Sequence, residues 1–231
     1  MPDPITYAAL AWDETGDKLY ETGVDHGVLY PMGTNGYGTG VAWNGLTGVT
    51  ETPSGAEATK LYADNIKYLE IRSAEEFGGT IEAYTYPDEW AECDGSAVLT
   101  AGVYAGQQPR KAFGLCYRTI LGNDVDLNNH GYKLHIVYGC TASPSERSYS
   151  TVNDSPEAIT FSWEFSSTPV NLSGHKPVSC LVIDSTKVDE TKLKLLEDKL
   201  YGVSTDSTAN PAVAGSAAYL PLPAEVLSTL S

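Results

Sequence analysis

Residues 158–166 set Ile159, Phe161, Trp163 and Phe165 against Ala158, Thr160, Ser162 and Glu164 at period two. Such alternation puts every apolar side chain on one face of an extended strand, whereas a helix would scatter the same residues around its circumference. The pattern recurs. Residues 131–142 carry Tyr132, Leu134, Ile136, Tyr138 and Cys140 opposite Lys133, His135, Val137, Gly139 and Thr141. Residues 112–121 put Phe113, Leu115 and Tyr117 on one side with Cys116 and Arg118 on the other, and 79–86 offers Ile81 and Ala83 against Thr80, Glu82 and Tyr84. Shorter strands are expected near 18–30, 40–43, 46–52, 58–63, 66–72, 147–152 and 177–183. Turn-forming pairs separate them, among them Asn35-Gly36, Asn44-Gly45, Asp94-Gly95, Asn128-Asn129 and Asn153-Asp154. Trp43-Asn44-Gly45-Leu46 is the clearest hairpin signal. No regular βαβ alternation appears, so the chain is expected to be mainly β, an antiparallel β-sandwich or barrel-like fold over 18–184.

Two helices are expected. In Ser73-Ala74-Glu75-Glu76-Phe77 a serine precedes a glutamate by three and Gly78-Gly79 follows, the signature of a short capped helix. The longer one, within 187–202, starts at Asp189, repeats Leu193, Leu196 and Leu200 at spacings of three and four, and stops at Gly202. Its apolar face should lie on a sheet. Residues 1–17 and 203–231 read as terminal arms, the latter small, polar and Pro-interrupted before Leu220, Leu222, Val226 and Leu227. At 231 residues a single β-rich domain is the simplest organisation.

Charge constrains function. Thirty Asp and Glu against fourteen Lys and Arg give a formal net charge of −16, which excludes electrostatic wrapping of nucleic acid, a task for Lys and Arg. The acids are scattered, as expected of a solvated surface. No apolar run reaches the roughly 18 residues of a membrane span, and residues 1–6 have neither basic nor apolar character, so cytoplasmic synthesis is expected. Cys93, Cys116, Cys140 and Cys180 are too widely spaced for a zinc knuckle or a redox pair; Cys116 and Cys140 read as small buried hydrophobes. No phosphate-loop, nucleophile-elbow, zincin or EF-hand motif occurs, and the spacing of Gly36-Tyr37-Gly38-Thr39-Gly40 does not suit a phosphate loop. His26, His130, His135 and His175 are dispersed. The best case for catalysis is a carboxylate pair for glycoside hydrolysis, drawn from Glu75, Glu76, Glu82, Asp88, Glu89, Glu92 and Asp94 beside Tyr84, Tyr86 and Trp90; such chemistry needs two carboxyls about 5 to 9.5 Å apart across a cleft. A sugar-binding sandwich would use the same aromatics.

Several stretches together resemble the major tail protein, or tail tube protein, of long-tailed non-contractile bacteriophages, in the lineage of Gram-positive hosts. They run in order from about Trp12 to Leu230: Lys18-Leu19-Tyr20-Glu21-Thr22-Gly23-Val24, Gly40-Val41-Ala42-Trp43-Asn44-Gly45-Leu46, Gly55-Ala56-Glu57-Ala58-Thr59-Lys60-Leu61-Tyr62, Gly79-Thr80-Ile81-Glu82-Ala83-Tyr84, Phe113-Gly114-Leu115-Cys116-Tyr117-Arg118, and Leu200-Tyr201-Gly202 with Leu220-Pro221-Leu222-Pro223. The resemblance implies a β-sandwich with one flanking helix, a long hairpin loop and extended arms. It implies no catalytic site, cofactor or metal. Partners would be further copies of the chain, as hexameric rings stacked into a tube, with a tape-measure protein, a tail-tip initiator and a tail terminator; DNA passes through without specific binding, and no membrane is involved. The location would be the virion tail. Lumen-facing acids are expected among Glu70, Glu82 and Glu164. Contacts between subunits or rings are expected from a hairpin spanning 32–53, with Tyr37, Trp43 and Leu46, from 2–12, and from Leu220, Leu222, Val226 and Leu227. Removing 204–231 is expected to stop tubes and spare the fold. Contractile tails and related injection systems use similar subunits.

Overall fold

The computed structural model describes residues 9–152, 154, 157–205 and 214–231. In chain order these form β1 (Tyr20–Gly33), β2 (Gly36–Tyr37), β3 (Val41–Ala42), β4 (Leu46–Glu51), β5 (Ser54–Gly55), β6 (Ala58–Ala63), β7 (Ile66–Arg72), β8 (Glu75–Glu76), β9 (Gly78–Ala83), α1 (Trp90–Cys93), β10 (Ala97–Thr100), β11 (Val103–Ala105), β12 (Phe113–Asn123), β13 (Leu127–Ala142), β14 (Phe161–Ser167), β15 (Cys180–Asp184), α2 (Glu190–Tyr201) and α3 (Pro223–Leu230). The protein is mainly antiparallel β with open sheets. Nine strands share one sheet, in the order β2-β1-β12-β13-β14-β9-β4, with β15 on β13 and β3 on β1. Three two-stranded ribbons, β5-β8, β6-β7 and β10-β11, stand outside it.

Both faces of the central strands are buried, and a bulge in β13 decides which residue goes where. Leu115 faces Val137 but Phe113 faces Cys140, so β13 holds one extra residue at Tyr138-Gly139. Gly139 takes φ +60°, and a Cβ there would strike the Thr168 carbonyl. The parity of the strand changes at that point. Cys140 therefore joins Val137, Phe113, Leu115 and Tyr117 in one core, and does not share the face of Leu134, Ile136 and Tyr138 as uninterrupted alternation predicts. The bulge also divides the neighbours of β13: β15 pairs with Lys133–Val137, and β14 pairs beyond the bulge with Cys140–Ala142.

The first core lies inside the curl of the sheet. Trp43, Trp90 and Trp163 meet there with ring centroids 4.7 to 5.8 Å apart, closed by Phe113, Phe165, Ile81 and Ala83. Trp90 arrives on the single turn α1, which sequence reasoning did not anticipate. The second core lies on the opposite face, where Val28, Tyr30, Cys116, Leu134, Ile136 and Ile183 receive Leu193, Leu196 and Leu200 of α2. The α2 helix is as expected: Asp189 accepts from the Thr191 and Lys192 amides at its N-cap, Gly202 ends it, and its apolar face lies on the sheet. Cys116 and Cys140 are fully buried, and all four cysteines are free thiols.

Several expectations need correction. Residues 73–77 form no helix; Glu75–Glu76 pairs with Ser54–Gly55 as a short ribbon. The Asn44-Gly45 turn is not a hairpin, because β3 pairs with β1 whereas β4 pairs with β9; the turn carries the chain from one side of the curled sheet to the other. Residues 32–53 are not one long hairpin but are divided among β1 to β4; among the described residues β6-β7 and the longer β12-β13 are the consecutive strands that pair as hairpins of more than three pairs. Residues 147–152 form no strand. Asn153 of the expected Asn153-Asp154 turn lies outside the described residues. The end of the expected C-terminal arm is instead α3, docked on α2, so more than one helix flanks the sheet.

Candidate functional site

The β6-β7 ribbon carries a surface of exposed large apolar side chains. Asp64 and Asn65 take φ +51° and +63°, a two-residue turn with both central residues left-handed, pairing Ala63 with Ile66. From that turn the strands run back to Ala58 opposite Arg72, with one irregularity where Leu61 faces Leu69 but Tyr62 faces Lys67 and Tyr68 is the extra residue; among the described residues no third strand lies beside either one. Tyr62 and Tyr68 are each 69% exposed, Ile66 66% and Ile71 54%. Apolar side chains on both faces of a strand ordinarily mark a buried central strand; here they meet solvent. Both strands are legible in the sequence, whereas the Asp64-Asn65 turn that joins them is not among the expected turns. That pair was the available signal.

The expected contact residues divide by burial. Trp43 is 3% exposed, with its Nε1 donating to the Thr85 carbonyl at 3.0 Å, and Leu46 packs against the same tryptophan core. Tyr37 packs in the second core and its hydroxyl accepts the Gly139 N–H at 2.8 Å, completing the bulge. Trp43 thus belongs to the protein's own interior, whereas Tyr37 and Leu46 are half-buried against it. Leu220, which lies over Gly114 where a Cβ would collide with it, and Val226, 1% exposed, are interior as well. Leu222 and Leu227 remain outward, 52% and 43% exposed. Of the expected N-terminal contact stretch 2–12, Leu10 and Trp12 are exposed, and residues 1–8 lie outside the described set.

The three expected lumen acids do not share a surface. Glu82 pairs with Ser162 and Glu164 with Thr80, so both carboxylates stand on the outer face of β9 and β14, exposed, amid serine and threonine. Glu70 lies on the β6-β7 ribbon between Lys67 and Arg72, which neutralise it.

A polar network crosses the sheet where β4 ends. His135 stacks on Tyr117 with ring centroids 4.6 Å apart, its Nδ1 3.2 Å from Glu51 and its Nε2 3.1 Å from Thr119 Oγ1. Tyr117 donates to the same Glu51 oxygen at 2.6 Å, and Thr119 donates to Glu21, which also holds Lys133. The hydrogen bonds from His135 and Tyr117 hold the Glu51 carboxyl below its ordinary value, and Lys133 and Thr119 do the same for Glu21. Nearby, Arg118 grips Asp25 with two bonds of 2.7 and 2.8 Å, holding that carboxyl low as well. His135 is thus a structural histidine, satisfied on both ring nitrogens.

Of the seven carboxylates considered for glycoside chemistry, Asp88 and Asp94 line one cleft of about 370 Å³ with Tyr86 and Tyr104. Glu75 and Glu76 lie on the β5-β8 ribbon, and Glu82 is on the outer sheet face. Asp94 is paired with Arg147, whose guanidinium sits 5.6 Å over the Tyr86 ring and occupies the face that a sugar would stack on. Burial raises the Asp94 carboxyl above its ordinary value against the pull of Arg147. Burial also pushes the Cys93 thiol up to about 12, which leaves it a poor nucleophile at neutral pH. Among the described residues no three His, Cys, Asp or Glu side chains gather as a metal site, and no helix is long and apolar enough to cross a membrane. No family model and no curated protein matches this chain.

Proposed function

We propose that this chain is a self-assembling structural subunit, the major tail protein of a long-tailed, non-contractile bacteriophage, working as hexameric rings stacked into a tube through which DNA leaves the virion. In this reading the fold is the tail-tube β-sandwich. The observation that carries it is the β6-β7 ribbon. A two-stranded ribbon is marginal in water by itself, and one that exposes Tyr62, Ile66, Tyr68 and Ile71 acquires a stable setting when another subunit covers it. A neighbouring copy of the same chain suits that role, because a ring is built when a patch on one subunit meets a different patch on the next and the rotation closes. The resemblance in sequence order from Trp12 to Leu230 points the same way.

Acidity fits a conduit. Glu82 and Glu164 on one small-polar face would repel phosphate if that face lined the channel, so DNA would slide past without being held. The protein of this reading has no catalytic residue, cofactor or metal. Its partners are its own copies, with the tape-measure protein, tail-tip initiator and tail terminator at the ends of the tube.

Negative-stain electron microscopy of concentrated protein, with and without a tail-tip complex, tests the reading. Hollow tubes of uniform width are expected from the wild type. The double variant Tyr62→Ser with Tyr68→Ser should keep its circular dichroism spectrum and lose the tubes. Tubes of normal length from that variant would remove the ribbon from the assembly.

A further inference from the structure

Arg110 is the one arginine that lacks a carboxylate partner among the described residues: Arg72 pairs with Glu70, Arg118 with Asp25 and Arg147 with Asp94. Its Nε is buried and donates to no acceptor there. Withholding a hydrogen bond from a buried polar group is costly, and more so for a charged one. Arg110 lines a cleft of about 500 Å³ with Ser96, Gln107, Gln108, Ser145 and Arg147. Asp94 is the only carboxylate in that lining, so two guanidiniums face one acid, a local surplus of positive charge in a chain of formal charge −16.

The backbone around this cleft is held in place. The Gln108 N–H donates to the Gly95 carbonyl at 2.9 Å and the Lys111 N–H to the Glu92 carbonyl at 3.0 Å, which ties the loop bearing Arg110 to the end of α1. Just before Gln108, Gln107 sits at φ +63°, a left-handed conformation that costs a residue with a Cβ and persists where its surroundings impose it. Ser96 leads directly into β10, and β11 ends just before Gly106, so the β10-β11 ribbon adjoins the cleft. That ribbon exposes Val98, Leu99, Val103 and Tyr104, Leu99 at 70%. A basic socket next to an exposed apolar patch is the anatomy of a protein interface rather than of a site for a free inorganic ion.

We propose that the cleft at Arg110 is a socket for an aspartate or glutamate side chain of a second copy of this chain. The proposal rests on the tube reading for the identity of the partner and on Arg110 itself for the chemistry. Two copies at −16 repel, so a contact between them needs local points of positive charge, and most of the few basic residues are already in ion pairs within the chain. A planar guanidinium matches a carboxylate bidentately, which gives register as well as attraction.

Two measurements separate the socket from its occupant. In the first, acetate is titrated into dilute monomer and the arginine Nε–H resonances are followed by NMR. A saturable shift of Arg110, with Arg72 and Arg118 unmoved, is expected; a shift that stays linear and common to all arginines overturns the socket. In the second, Arg110→Gln is compared with wild type for the protein concentration at which tubes form, beside Lys187→Gln as a surface control. An increase of about tenfold for Arg110→Gln, with an unchanged circular dichroism spectrum, is expected. Assembly at the wild-type concentration, together with a saturable acetate shift, overturns the neighbouring copy as the occupant. Wild-type protein that forms no tube under any condition, tail-tip complex included, counts against the tube reading alone, because the acetate titration reads the socket without it.

Discussion

Tyr37 illustrates how a single hydroxyl can hold a fold feature that no pattern announces. Its oxygen accepts the Gly139 N–H at the bulge that switches β13 from one core to the other. Tyr37→Phe leaves that amide without its partner, and a loss of about 1–3 kcal/mol in urea denaturation is expected. No loss would mean that the bulge is held without it. At the same scale, Glu21, Asp25 and Glu51 are all held below their ordinary values of 4.5, 3.8 and 4.5, by Lys133, Arg118 and His135 respectively. A depressed carboxylate contributes stability that is fully present above its unfolded pKa and is lost as pH falls through its folded value. Stability should therefore hold from neutrality down to about pH 4.5 and fall steeply below it. Glu51→Gln should flatten that acid limb in thermal melts taken across pH 2–6, a window set by these carboxylates; an unchanged limb would remove Glu51 as a contributor. The sequence placed His135 on a polar face, but the residue is buried on the side of β13 that Val137 shares, stacked on Tyr117. The sequence could not supply Glu51, which is 84 residues away in the chain and reaches His135 only through the curl of the sheet.

Among the elements, the C-terminal segment behaves least as its sequence suggests. Leu220-Pro221-Leu222-Pro223 reads as an extended arm, yet Leu222 is the N-cap and Pro223 opens α3 at the first helical position, where its missing N–H costs nothing. Two tyrosines of the sheet reach this layer: Tyr30 donates to the Leu200 carbonyl at 2.7 Å and Tyr138 to the Pro221 carbonyl at 3.0 Å. Lys199 of α2 bonds Glu225 and Thr229 of α3 at 2.9 and 2.8 Å. Removing 204–231 would uncover the second core, so the truncated protein should lose cooperative thermal unfolding as well as assembly, contrary to the expectation that the fold is spared. Leu220→Ala alone should cost roughly 2–5 kcal/mol, the usual range for a buried leucine. A truncated chain that melts at the wild-type temperature would return this segment to the status of an arm. The β6-β7 ribbon is the opposite case: legible as two strands, but with an alternation that gives no inside or outside, because both of its faces carry apolar side chains.

For the whole molecule, charge is the property that composition fixes and geometry distributes. Glu82 and Glu164 stand together on the outer face of β9 and β14, whereas Glu70 is matched by Lys67 and Arg72 on the ribbon. If the β9-β14 face lines a channel, Glu82→Gln with Glu164→Gln should assemble normally and slow DNA ejection from reconstituted particles, the slowing being greatest at low salt where screening is weakest. Ejection at the wild-type rate would leave these two acids as solvated surface. Lys67→Gln, which removes one of the two positive charges on Glu70 without approaching that face, serves as the comparison.

Period-two alternation in 79–86, 112–121, 131–142 and 158–166, with the leucine repeat ending at Gly202, determined the mainly antiparallel β character, the α2 helix and most of the core, because local periodicity alone decides which side chains can share a face. Partners far apart in the chain are not encoded in that periodicity. Only the tertiary structure decided that Gly139 would shift the parity of β13, that Asn44-Gly45 would lead to two different partner strands, and that 75–76 would pair with 54–55 instead of coiling. It also turned Tyr37, Trp43 and Leu46 inward and left Tyr62, Tyr68 and Arg110 facing a surface or a cleft. Each of these outcomes is a competition between local propensity and a contact closed across the sheet, and the buried contact prevailed.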